Sequence, residues 1–253
     1  MQKLESIAER IRRDFDARTA ARDKALATAR QLTRACSLAI RAAHRLETGT
    51  STRLSAGTST RLSAGTSTRL SAGEMAGQLS EARSLADALR AELQGYPDLF
   101  HAGYTQDALK EFVEANATCA LIQNQSLPTP EALGVGGATY LNGLAEVVGE
   151  LRRRTLDILR HGYSQEAERL LGLMDDIYSV LVSMDYPDAI TSGLRRQTDV
   201  ARSIIEKTRG DITFSLRGEH LEQAIGKLIV QLNGEQARVG KEAGAFVAQG
   251  EDD

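Results

Sequence analysis

Two short phrases in this sequence carry residues able to do chemistry: Glu111-Phe-Val-Glu114 and Glu146-Val-Val-Gly-Glu150. Residues three or four apart on an α-helix lie one above the other, so each phrase sets two carboxylates on a single helix face. Brought together, the two pairs form a four-carboxylate pocket, and hard divalent cations such as Mg²⁺ or Mn²⁺ favour oxygen ligands of this kind. A di-iron site is a poor match, because helical di-iron bundles need Glu-x-x-His on two helices. None of His44, His101, His161 and His220 stands three residues after a glutamate of either pair. Nucleophilic catalysis has no support either, since no Ser or Cys sits in a recognisable nucleophile turn.

Each pair has a second reading as an ordinary solvated helix face. Between Phe112 and Pro130 the only charged residue is Glu114, where about five are expected in a chain that is 26% charged. That helix is therefore expected to be buried nearly all round, and a buried carboxylate is costly unless it is paired or binds metal. Glu146 and Glu150 share a face with Asn142, Gly143, Gly149, Arg153 and Asp157. Glycine inside a helix costs roughly 1 kcal/mol relative to Ala. Beside carboxylates, it lets another backbone, a metal or a phosphate come close. The alternative is an exposed face on which Glu150 and Arg154 form an i,i+4 ion pair.

The elements that must position these residues are helices. Of the 253 residues, 42% are hydrophobic and only 4% aromatic, Trp is absent and Pro occurs four times. Ala, Leu, Arg and Glu are abundant, and these residues lose little side-chain freedom in a helix. Period-2 alternation is nowhere sustained. The fold class expected is all-α: a single domain over 1–253, an antiparallel bundle of about seven helices with a long first one. The helices are placed at 3–46, 74–94, 105–124, 139–161, 164–184, 190–209 and 218–232. The octapeptide GTSTRLSA occurs three times between Gly49 and Ala72. One Leu per unit cannot bury a core, so 48–73 is expected to be a flexible loop between the first and second helices. Residues 235–253 are expected to be a flexible tail. Gly134-Val-Gly-Gly137 lacks the Lys-Ser/Thr and the preceding strand of a phosphate loop.

Composition sets wider bounds. The net charge of -3 neither announces nor excludes a nucleic-acid partner, because local clustering matters more than the sum. Cys36 and Cys119 lie in apolar helical stretches without paired spacing, as reduced core thiols do. No run approaches the roughly 18 apolar residues of a membrane span, and the start has no signal-peptide core. A cytoplasmic protein with no membrane partner is expected.

The residues also match a known family. Glu111-Phe-Val-Glu114-Ala resembles the Glu-Tyr-Val-Glu-Ala motif of Trax (translin-associated factor X). Gly143-Leu-Ala-Glu146-Val-Val-Gly-Glu150-Leu is similar to the Trax segment Gly-Val-Ala-Asp-Leu-Thr-Gly-Glu-Leu. Arg22-Asp-Lys-Ala-Leu and Arg41-Ala-Ala-His-Arg45 resemble the family's opening helix, and Asp185 to Gly210 its late helix. The chain thus resembles the translin family, and within it the Trax branch and its archaeal relatives. The likeness covers nearly everything but the repeats and the extreme tail.

That resemblance implies an α-helical subunit assembling into a hollow, octamer-like homo-oligomeric shell around nucleic acid. It implies a Mg²⁺- or Mn²⁺-dependent endoribonuclease acting on single-stranded RNA, with single-stranded DNA as a further ligand. Glu111, Glu114, Glu146 and Glu150 take the acidic positions, as metal ligands and catalytic groups. Glu146 departs from the family's Asp by one methylene. Translin itself lacks the acidic set; the alternative function is a non-catalytic, translin-like holder of single-stranded RNA or DNA. Arg34, Arg41, Arg45, Arg153, Arg160, Arg195, Arg196 and Arg202 are the candidate phosphate contacts, together with Arg152.

Overall fold

The computed structural model describes the backbone of residues 2–46 and 58–248, with side chains over 3–46 and 70–234. Among the described residues there are six long helices and three of one turn, and no strand. They are α1 (Gln2–His44), α2 (Thr58–Leu93), α3 (Pro97–Phe100), α4 (Gly103–Ile122), α5 (Pro130–Leu133), α6 (Gly137–Leu159), α7 (Gln165–Ser183), α8 (Asp188–Thr191) and α9 (Leu194–Ala248).

Packing follows a simple order. α1 lies against α2 and α4, α4 against α6, and α6 against α7 and α9. Leu32, Cys36, Ala86, Leu89, Leu109 and Phe112 fill the space between α1, α2 and α4. Val147, Leu151, Leu170, Met174 and Ile205 fill that between α6, α7 and α9, joined by Ala117 and Leu121 of α4. α4 serves both clusters, which is why its run after Glu114 carries no charge. Complete burial of a side chain such as Phe112 or Leu151 stabilises by roughly 1.5–3 kcal/mol. The α4–α6 seam joins the two halves of the core.

Local chemistry sets the joints. Pro130 opens α5, and the Thr129 hydroxyl accepts from the Ala132 N–H. Gly134 ends α5 at φ +66, the left-handed region where a side chain is strained. Gly136 then caps α6, so the glycine-rich stretch is a helix-to-helix joint. The Ser164 hydroxyl caps α7 by accepting from the Glu166 N–H.

Three boundaries differ from those read in the sequence. α2 begins at Thr58, so residues 58–73 of the expected loop are helical; residues 47–57 lie outside the described residues. Ser71 and Met75 are buried, Met75 with Ala39, Ala42 and Ala43 of α1, and this packing draws the end of the repeats into the helix. The two helices expected at 190–209 and 218–232 form one, α9, because Ile212 in the supposed gap is buried in the core. α9 also runs on to Ala248 through most of the expected tail, a segment rich in Ala and Glu and without Pro, in which Gly240 and Gly244 do not end the helix.

Both long helices overhang the core. On α1 the apolar row Leu4, Ile7, Ile11 and Phe15 is exposed, Leu4 at 66% and Phe15 at 62%. On α9, Phe214, Leu221, Ile225, Leu228 and Leu232 are likewise exposed, spaced 7, 4, 3 and 4 residues apart.

Candidate functional site

The two carboxylate pairs lie on α4 and α6 near a tight crossing of these helices, and Gly143 makes that crossing possible. A Cβ at residue 143 would lie 2.7 Å from Val113 Cβ, 2.8 Å from its Cγ1 and 2.9 Å from the Lys110 carbonyl oxygen. Any side chain there would push the helices apart. Glu111 and Glu114 flank Val113 on α4, and Glu146 stands one turn beyond Gly143 on α6. Glu150 follows one turn later. Gly149 has a different setting, with nothing within 4 Å of its would-be Cβ.

All four carboxylates are half-buried, and their charges act on one another. Glu114 is pushed up to about 8, by burial first and then by the negative charges of Glu146, Glu150 and Glu111. It has no ion-pair or hydrogen-bond partner among the described residues; Lys110 relieves it only weakly. Glu111 is raised by burial and by Glu146. Glu146 is held by Lys110, whose Nζ lies 2.8 Å from Oε1. Glu150 accepts a hydrogen bond from His44, Nε2 to Oε2 at 2.6 Å. That bond holds Glu150 below the usual carboxylate range against the opposing effect of burial.

The donor set fits a hard divalent cation in its chemistry: four carboxylates, no thiol or imidazole among them, with Glu111 and Glu114 lacking a protein partner among the described residues. Their present arrangement is not a closed cage. Among the described residues, no group of three or more His, Cys, Asp or Glu side chains stands at metal-holding distances. Two of the four are engaged elsewhere, Glu146 by Lys110 and Glu150 by His44.

The predicted arginines are mostly free surface groups. Arg34, Arg41, Arg195, Arg196 and Arg202 are exposed and form no ion pair among the described residues. Arg153 lies 3.7 Å from Glu150, at the edge of the cluster, and Arg160 lies 3.9 Å from Asp157. Arg45 pairs with Glu74 at 2.7 Å. Arg152 is taken up in tying α6 to α9, through Thr208 at 2.9 Å and Asp211 at 2.8 Å. A groove of about 1260 Å³ opens beside His44, with Arg45, Arg154 and Arg160 on its walls against Asp157, Asp211 and Glu219. Its mixed charge contrasts with the acidic α4–α6 seam.

Three residues of the site escaped sequence reasoning. His44 is the last residue of α1, 106 positions from Glu150. Arg154 does not pair with Glu150 as its i,i+4 spacing suggested. It is buried and donates to the carbonyl oxygens of His44 (2.8 Å) and Leu46, the carbonyls that a helix end leaves unsatisfied. Arg154 thereby fixes the end of α1 and, with it, the imidazole on Glu150. Lys110, next to Glu111 in sequence, carried a signal that was readable: it is the last cation before the uncharged run of α4. Cys36 and Cys119 are buried thiols with no disulfide, and burial pushes Cys119 up to about 12.

No family model matches the chain. An uncharacterized protein of Methanocaldococcus jannaschii is 27% identical over 215 residues, covering 85% of each sequence. Among solved structures, that of AfC3PO in complex with duplex RNA is 30% identical, with a TM-score of 0.66, over 83% of this chain and 97% of that one. A crystal structure of AfC3PO is 29% identical with the same TM-score and coverage. The apo-NeC3PO structure, at 20% identity and a TM-score of 0.64 over 82% and 96%, shares the fold.

Proposed function

Since the chain belongs to the translin family, on its Trax-like side, we propose that it is a divalent-metal-dependent endoribonuclease acting on single-stranded RNA as a homo-oligomer. One observation carries this reading: Glu114, half-buried and without a cation of its own, is pressed by the charges of the three other predicted carboxylates. A carboxyl kept protonated by its neighbours' charges is one at which a doubly positive ion would replace the proton. The relative AfC3PO holds duplex RNA, which supports RNA as the polymer and makes a duplex the natural control substrate.

Glu111, Glu114, Glu146 and Glu150 would hold the ion. Bound there, Mg²⁺ or Mn²⁺ would lower the pKa of a water molecule and neutralise charge developing on the phosphate. The chain's own residues supply the rest. Arg153, beside Glu150, would take a phosphate oxygen of RNA lying over the cluster. The free arginines Arg34, Arg41, Arg195, Arg196 and Arg202 give a grip independent of base sequence, with steep salt dependence. Aromatic stacking adds little in a chain with no Trp, so base preference should be weak. The overhanging stripes of α1 and α9 support assembly, because exposed apolar rows of this length call for a partner.

The test is incubation of labelled single-stranded and duplex RNA with purified protein, with Mn²⁺ and with chelator. Cleavage of the single strand that needs the metal, and its loss in Glu114→Gln and Glu150→Gln with RNA binding intact, is the expected result. Binding without cleavage under all conditions identifies a non-catalytic RNA-holding protein instead.

A further inference from the structure

Lys110 occupies an unusual position among the carboxylates. Its backbone carbonyl forms part of the tight crossing at Gly143, so its side chain emerges at the α4–α6 seam. Its Nζ reaches inward to Glu146 Oε1 at 2.8 Å and lies 3.7 Å from Asp107 Oδ1. The two partners differ in setting. Glu146 is mostly covered, with its side chain 27% exposed, whereas Asp107 is on the outer side at 72%. A four-carbon stem with three rotatable donors can move between them at little cost. The ammonium therefore has an inner and an outer anion within reach, and the inner one belongs to the cluster.

We propose that Lys110 is the resident counter-ion of the carboxylate cluster, displaced from Glu146 towards Asp107 when a divalent cation enters, and that this exchange sets the metal affinity of the site. The inference rests on the metal-site reading of the four glutamates. Lys110 is then a positioning residue: it keeps Glu146 turned away from a common centre until an ion competes for it. This also explains why four interacting carboxylates stand without a closed cage. Asp107 serves as the outer resting place that makes release of Glu146 cheap.

Metal binding without substrate separates this role from a structural one. Titration calorimetry with Mn²⁺ on the full chain should show Lys110→Met binding about tenfold more tightly than wild type, since one half-buried ion pair no longer competes. Asp107→Asn should bind several-fold more weakly, and its effect should vanish in the Lys110→Met background. Lys110→Arg keeps the charge and should not bind more tightly than wild type, which guards the test against a fold defect in the Met variant. If Lys110 merely braced Glu146, Lys110→Met would bind Mn²⁺ equally or more weakly; that result overturns the proposal and leaves the metal site standing. If neither wild type nor Lys110→Met binds Mn²⁺, both the proposal and the nuclease reading fall.

Discussion

Gly143→Ala is the substitution that tests most directly how this fold builds its site. The new methyl would sit 2.7 Å from Val113 Cβ and 2.9 Å from the Lys110 carbonyl oxygen. Comfortable carbon–carbon contacts begin near 3.5 Å, so α4 and α6 must part by about 1 Å at the crossing. Neither opposing atom is the free end of a side chain: one is a β-branched Cβ and the other is backbone. Overpacking of this kind costs about 1–3 kcal/mol, and the rigidity of the neighbours places it at the upper end. Ala offsets about 1 kcal/mol of that through its better helix propensity. The net loss is about 2 kcal/mol, or a fall in Tm of roughly 4–8 °C for a chain of this size.

The same helix contains its own control. Gly149, six residues on, meets nothing within 4 Å, so Gly149→Ala should raise Tm by about 2–4 °C, the propensity gain alone. Thermal denaturation of the two variants and wild type at equal protein concentration gives the comparison; equal concentration matters because association shifts Tm. Parting the helices also moves Glu146 away from Glu111 and Glu114, so Gly143→Ala should bind Mn²⁺ more weakly. A Gly143→Ala protein that melts at or above wild type, as Gly149→Ala should, would refute the claim that close backbone approach assembles the cluster.

Two further predictions concern charge and assembly. Glu114 in the folded protein titrates near 8, well above its unfolded value. Between those two values the folded chain holds a proton that the unfolded chain has released, so stability must fall as pH rises from about 5 to about 8. Melts of metal-free protein across that range should show this decline, and Glu114→Gln should flatten it; a parallel slope in the variant would remove Glu114 as the cause. The α9 stripe predicts that wild type is an oligomer by light scattering and that Leu221→Glu with Leu228→Glu lowers its mass. A monomeric wild type would contradict that interface.

Much of the architecture is legible because helices announce themselves locally. The charge-poor run after Glu114 follows from α4 facing two core clusters, and eleven of its twenty residues are buried. The carboxylate pairs follow from spacing alone. Boundaries were less legible where long-range packing decides them. Nothing local in GTSTRLSA favours a helix, but Met75 against α1 extends one into its final units. Glycines such as Gly210 and Gly218 suggest a break in α9, yet buried Ile212 between them carries the helix through.

The site divides along the same line. Which residues carry negative charge, and on which faces, is a property of each helix and can be read from its own sequence. What balances that charge is a property of how helices cross. His44 reaches Glu150 because Arg154 pins the end of α1, a relation across more than a hundred residues. Lys110 meets Glu146 because Gly143 lets two backbones nearly touch. In both cases a small or buried residue that does not itself touch the carboxylates brings a hydrogen-bond donor to one of them. Glu111 and Glu114 are left without an ion-pair or hydrogen-bond partner among the described residues, and on the proposed reading that lack of partners, rather than the count of acidic residues, is what would draw an ion to the seam between α4 and α6.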